Sequence, residues 1–122
     1  MQALRTFLIT VAMAAATLAS PYAAAHASLK SSTPAAGATV EASPGEVTLT
    51  FNEKIEPAFS SVTVADGQGK NVATGKAMVD ASNPAVLRLA VPALATGTYT
   101  VNWAVAGHDG HRRKGEFKFS VK

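Results

Sequence analysis

From Thr98 to Val105 every second residue is large and apolar: Tyr99, Val101, Trp103 and Val105 leave one face of the chain, and Thr98, Thr100, Asn102 and Ala104 leave the other. A period of two is strand geometry, and a face loaded in this way has to be covered by another apolar layer. The pattern recurs. Val47, Leu49 and Phe51 alternate with Glu46, Thr48 and Thr50, Val62 and Val64 resume it, and Leu87, Leu89 and Val91 alternate with Val86, Arg88 and Ala90. Phe117, Phe119 and Val121 close the chain as a last strand. Between these runs lie Pro44-Gly45, the charged stretch Asn52-Glu53-Lys54-Ile55-Glu56-Pro57, a hairpin-type turn at Asp66-Gly67-Gln68-Gly69, a connection over 92–97 and a loop over 107–114. Residues 72–80 are weakly patterned, and no stretch carries a helical period. About seven short strands with turns every 8 to 12 residues predict a small all-β antiparallel sandwich.

The first 25 residues do not belong to that domain. Arg5 supplies a positive start, Thr6 to Leu18 is an apolar run of 13 residues, and Ala23-Ala24-Ala25 fits the small-residue rule for leader cleavage. The run is too short to span a bilayer as a helix. Residues 1–25 therefore read as a secretory signal peptide and 26–122 as the exported domain, with His26 as its first residue. A competing site, Ala25-His26-Ala27, would discard that histidine.

Removing 25 of 122 residues leaves 97, enough for one small domain. Losing Arg5 from 11 basic residues leaves 10 against 8 acidic ones, a net charge near +2. That balance does not mark a nucleic-acid binder, whose basic residues would dominate a face. With no second apolar span and no cysteine to carry a lipid, the product is expected to be soluble, periplasmic and not embedded in the membrane. The absence of cysteine also excludes thiolate metal sites and cysteine nucleophiles. The domain must stand on its apolar core, by burying roughly 60–70 % of its extended surface.

The chemistry gathers at His108-Asp109-Gly110-His111. In extended backbone Asp109 and His111 would leave the same face, offering a carboxylate and an imidazole to a first-row metal. His26 at a new N-terminus would add two nitrogens, its α-amine and ring Nδ1. Three nitrogens and one oxygen in a near-planar set suit copper(II), whereas zinc prefers a tetrahedron. Each part also has an ordinary reading: a histidine beside a cleavage point, a loop histidine in solvent, an aspartate bonding turn amides.

The chain resembles the CopC family of periplasmic copper-resistance proteins along nearly its whole mature length. The resemblance rests on His26, Ser31-Ser32-Thr33-Pro34-Ala35 with Gly37, Phe51-Asn52-Glu53, Thr96-Gly97-Thr98-Tyr99-Thr100-Val101-Asn102-Trp103, and Asp109-Gly110-His111 running through Gly115 into Phe117-Lys118-Phe119. It implies a Greek-key, immunoglobulin-like β-sandwich that binds copper(II) through His26, Asp109 and His111. It also implies that Glu53 lies near the metal, outside the ligand set or as a weak ligand. His108 is an extra, adjacent histidine, read as solvated in preference to a ligand. Some members bind copper(I) through a methionine-rich loop; here the mature chain has only Met78, so that second site is expected to be absent. Arg112-Arg113-Lys114 reads as a solvated turn beside the site.

The function expected is that of a non-enzymatic, monomeric copper(II) carrier or buffer, serving resistance, homeostasis or delivery to an inner-membrane copper transporter. Two alternatives stand against it. A copper monooxygenase built on an N-terminal histidine brace would need its equatorial position free of an acidic ligand. A metal-free sandwich that contacts other proteins would need no histidine at its start.

Overall fold

The computed structural model describes residues 27–122. The leader, its cleavage point and His26 lie outside the described residues. Eight strands follow in order: β1 (Leu29–Thr33), β2 (Thr39–Val40), β3 (Glu46–Phe51), β4 (Ser61–Ala65), β5 (Met78–Asp80), β6 (Asn83–Ala90), β7 (Gly97–Ala106) and β8 (Arg112–Val121). They form two four-stranded sheets, ordered β1-β3-β6-β5 and β2-β8-β7-β4. The chain crosses between sheets after β1, β2, β3, β4 and β6, as in a Greek-key sandwich. The strand pairings are antiparallel, as expected, except the two-residue β2 with β8, which is parallel. No helix among the described residues is long and apolar enough to cross a membrane.

The alternating runs bury the faces their sequence marks. Val47, Leu49 and Phe51 from β3 meet Val101 and Val105 from β7 and Phe119 from β8 in one core, with Leu87, Leu89, Val62 and Val64 around them. Trp103 shares the inner face but is only partly buried, its ring edge-on to Phe51 at 5.3 Å between centroids. Opposite it in the ladder stands Gly115, over which the indole lies: a Cβ there would come within 2.6 Å of Cζ2. Tyr99 stacks on Phe119 at 5.6 Å and donates its hydroxyl to the Ala95 carbonyl at 2.7 Å.

Three details depart from the sequence pattern. Ile55, set in a charged and proline-bearing stretch, is fully buried. Its amide donates to the Pro84 carbonyl, and it forms an isolated bridge with Gly107. The loop expected over 107–114 is shorter, because β8 starts at Arg112 and pairs with β7 from Ala106 onward. Val86 is buried beside Leu87, although alternation assigned the two to opposite faces.

Candidate metal centre

The end of the sandwich where β7 passes into β8 is closed by residues 107–111. Gly107 donates to the His111 carbonyl at 3.1 Å and Gly110 donates to the Gly107 carbonyl at 2.9 Å, which draws the loop tight. Gly110 has φ +87°, a left-handed conformation that a side chain would strain. This turn is not the extended backbone expected between Asp109 and His111, yet it brings the two side chains together by another route. Asp109 Oδ1 accepts the His111 amide at 3.0 Å, and Asp109 Oδ2 lies 2.9 Å from His111 Nδ1. The aspartate therefore fills both the turn-capping role and the pairing role. The amide bond first, and then the ring, hold its carboxyl below the ordinary range.

A carboxylate only accepts hydrogen bonds, so a neutral His111 carries its proton on Nδ1 and keeps its lone pair on Nε2. The ring is well exposed at the loop end.

Glu53 reaches the same place from the connection after β3. The buried bridge of Ile55 to Gly107 pins that connection against the loop. Glu53 Oε1 lies 3.2 Å from His108 Nδ1. A Cβ at Gly107 would meet Glu53 Oε1 at 2.6 Å and Asp109 Oδ1 at 3.1 Å, so both carboxylates converge over this glycine. Only backbone without a side chain leaves room for that convergence. His108 itself is two-thirds exposed, in keeping with a solvated reading, but its contact with Glu53 gives it a partner the sequence did not signal.

The beginning of the described chain is tied to this end as well. Ser28 donates to Asn52 Oδ1 at 2.8 Å and accepts from the Asn52 amide at 3.0 Å. Asn52 directly precedes Glu53, and Ala27 is fully buried. Asp109 and His111 thus form one pair and Glu53 and His108 another. Among the described residues no group of three or more such side chains is arranged to hold a metal ion. The donors present are nitrogen and oxygen, the kind that first-row divalent ions take. Met78 stands alone and exposed on β5, the edge strand of the other sheet, opposite Arg88.

A small β-sandwich that presents carboxylates and imidazoles at one end has donors of the kind that metal-handling modules use, and comparison with known proteins gives the class. Residues 29–122 match the CopC domain, and the chain belongs to the CopC family. It is 38 % identical to copper resistance protein C of Xanthomonas campestris pv. juglandis over 128 residues, covering the whole of both chains. Among solved structures, CopC of Methylosinus trichosporium OB3b superimposes with a TM-score of 0.75 at 39 % identity, covering 80 % of this chain and 94 % of that one. PcoC of Escherichia coli, described as a methionine-rich copper resistance protein, follows at 0.72 and 29 %, covering 80 % and 99 %. The chain is accordingly a copper-related protein with the family's β-sandwich.

Proposed function

We propose that the mature protein is a periplasmic copper(II) carrier, not an enzyme, which holds one ion at the loop end of the sandwich and hands it to a membrane transporter. The signal peptide ends at Ala25 in this reading, and the ligands are the α-amine and ring of His26, the His111 ring and Asp109. Glu53 lies beside them, and His108 stays outside the ligand set. The observation that carries the proposal is convergence: Asp109 and His111 pair in one turn, and the bonds between Ser28 and Asn52 bring the start of the described chain alongside Glu53, which crowds the same glycine. Residue 26 is joined to Ala27, with about 3.8 Å between successive Cα atoms, so its donors are tethered to that end.

Titration of the exported protein with copper(II), followed by electron paramagnetic resonance, tests this reading. One tight ion with nitrogen-dominated coordination is expected, and His111→Ala should weaken it far more than His108→Ala. An aqua-copper spectrum at equimolar metal would end the proposal, and equal effects of the two substitutions would displace His111 from the ligand set. Reduction with ascorbate should release most of the copper to a modest chelator, because Met78 alone cannot retain copper(I).

A further inference from the structure

Beside the loop end, the outer face of the second sheet carries a trough. Its floor is Ala104 and the buried Ala106 on β7, each opposite a long cation on β8, with Lys114 across from Ala104 and Arg112 across from Ala106. Small residues facing long ones leave a channel between the strands. The other wall is Phe59, on a short 3-10 turn over Pro57–Phe59. That turn is fastened at both ends, by the Glu56 amide to the Ala106 carbonyl at 2.9 Å and by the Ala106 amide to Ser60 Oγ at 3.4 Å. Phe59 is nevertheless 57 % exposed, so a large aromatic is presented to solvent from a fixed position. The Arg112 guanidinium lies over its ring, 5.2 Å from the centroid.

Two adjoining cavities make up the trough, one of about 360 Å³ along Phe59, Ala104 and Lys114, and one of about 490 Å³ running past Arg112 to Gly107 and His108. Arg112 and Lys114 are exposed on this face, and neither forms an ion pair among the described residues; Arg113, paired with the core residue Val105, leaves the opposite face. Beside these two positive charges, Glu56 lines the end near His108, and Glu116 follows Lys114 further along β8.

We propose that this trough is a docking surface for an acidic segment, bearing an apolar anchor, of the protein with which the chain exchanges copper. The proposal rests on the copper reading for the identity of the partner. The surface itself rests on charge and shape: unpaired cations call for carboxylates, and a fixed exposed aromatic beside an alanine floor calls for one apolar side chain. A segment lying there would end against Gly107 and His108, next to Asp109 and His111. A concave channel fits an extended peptide; an anionic bilayer would need apolar groups projecting from a convex face.

The test uses isotope-labelled exported protein, copper-free, and the blocked peptide Asp-Glu-Leu-Asp-Phe-Asp-Glu. Saturable amide shifts should fall on Phe59, Ala104, Ala106, His108, Arg112 and Lys114, and should vanish when the peptide's acids are replaced by lysines. Phe59→Ser should weaken the peptide about tenfold, and Lys114→Glu about threefold or more, an effect lost near 1 M salt, where screening acts over about 3 Å. Absent or scattered shifts would overturn the proposal. So would binding to phosphatidylglycerol-containing vesicles that Phe59→Ser abolishes while the peptide leaves the trough untouched. Both variants should keep the wild-type affinity for copper(II). Failure of wild-type protein to bind copper(II), with the peptide shifts intact, would strike the copper reading and leave the docking surface standing.

Discussion

Two glycines present the same steric problem with opposite expected outcomes. A Cβ at Gly107 would meet its nearest atom, Glu53 Oε1, at 2.6 Å; a Cβ at Gly115 would meet Trp103 Cζ2, also at 2.6 Å. The difference lies in what must yield. Glu53 Oε1 ends a flexible side chain at the edge of the loop, and it can swing outward at the cost of its exposed contact with His108, worth about 0–1 kcal/mol. Alanine also gains about 0.4–1 kcal/mol over glycine by restricting the unfolded chain. Gly107→Ala should therefore leave stability within about 1 kcal/mol of wild type. The Trp103 ring cannot swing: it is rigid and set edge-on to the buried Phe51. Forcing a methyl against it is overpacking, at about 1–3 kcal/mol, and after the same gain Gly115→Ala should lose about 1.3 kcal/mol at the middle of both ranges. For a domain of this size that corresponds to a fall in Tm of roughly 5–10 °C. Urea denaturation followed by the fluorescence of Trp103, the only tryptophan, measures both variants. Because Gly107→Ala displaces Glu53 and crowds Asp109, it should weaken copper(II) binding while Gly115→Ala spares it. A Gly107→Ala protein less stable than Gly115→Ala would refute the reasoning.

Other consequences follow from single contacts. Asp80 is held down to about 2 from 3.8, first by the bond from Arg88 and then by Ser82. A lowered folded value means stabilisation that is fully present above the unfolded value and lost as pH falls through about 4 to 2. Asp80→Asn should therefore lower the urea midpoint at neutral pH and converge with wild type near pH 2; a constant gap across that window would exclude the ion pair as the cause. Tyr99→Phe removes the hydroxyl bond to Ala95 and should cost about 0.5–1.5 kcal/mol by the same denaturation assay, with no change in copper affinity. A neutral result would show that the Ala95 carbonyl is satisfied without it.

How much of this was legible in the residues depends on whether a contact is local. β3, β7 and the second half of β8 alternate over enough residues for one face to declare itself, and they are the walls of the core. β2 is two residues long and too short to show a period; it exists because Gly37 and Ala38 bond to β8, far along the chain. Ile55 gave no sign of burial, since one apolar residue among charges has no period, and only its bridge to Gly107 explains it. The run Arg112-Arg113-Lys114 looked like a turn because its side chains are exposed, while its backbone already belongs to the ladder with β7. In the site, residue type and spacing singled out Asp109 and His111, though they meet through a turn and not through extended chain. Glu53 entered only through family resemblance. Its contact with His108 joins residues 55 apart in sequence, which no spacing rule reaches.

The chelate at His26 is the central claim, and the amine tests it most directly. Copper(II) has to displace protons from an α-amine of pKa about 7.7–8.0 and an imidazole of about 6.5, so affinity should fall as pH drops. One alanine added before His26 turns that amine into an amide and leaves Ala27, the core and the loop as they are. Copper(II) affinity should be measured by competition with a chelator for the native mature protein and for this extended form, both shown to fold by their denaturation curves. The extended protein should bind orders of magnitude more weakly, as should a chain cut after Ala27. Equal affinity in the native and extended proteins would contradict the histidine chelate and leave the metal to Asp109 and His111 with Glu53 or His108.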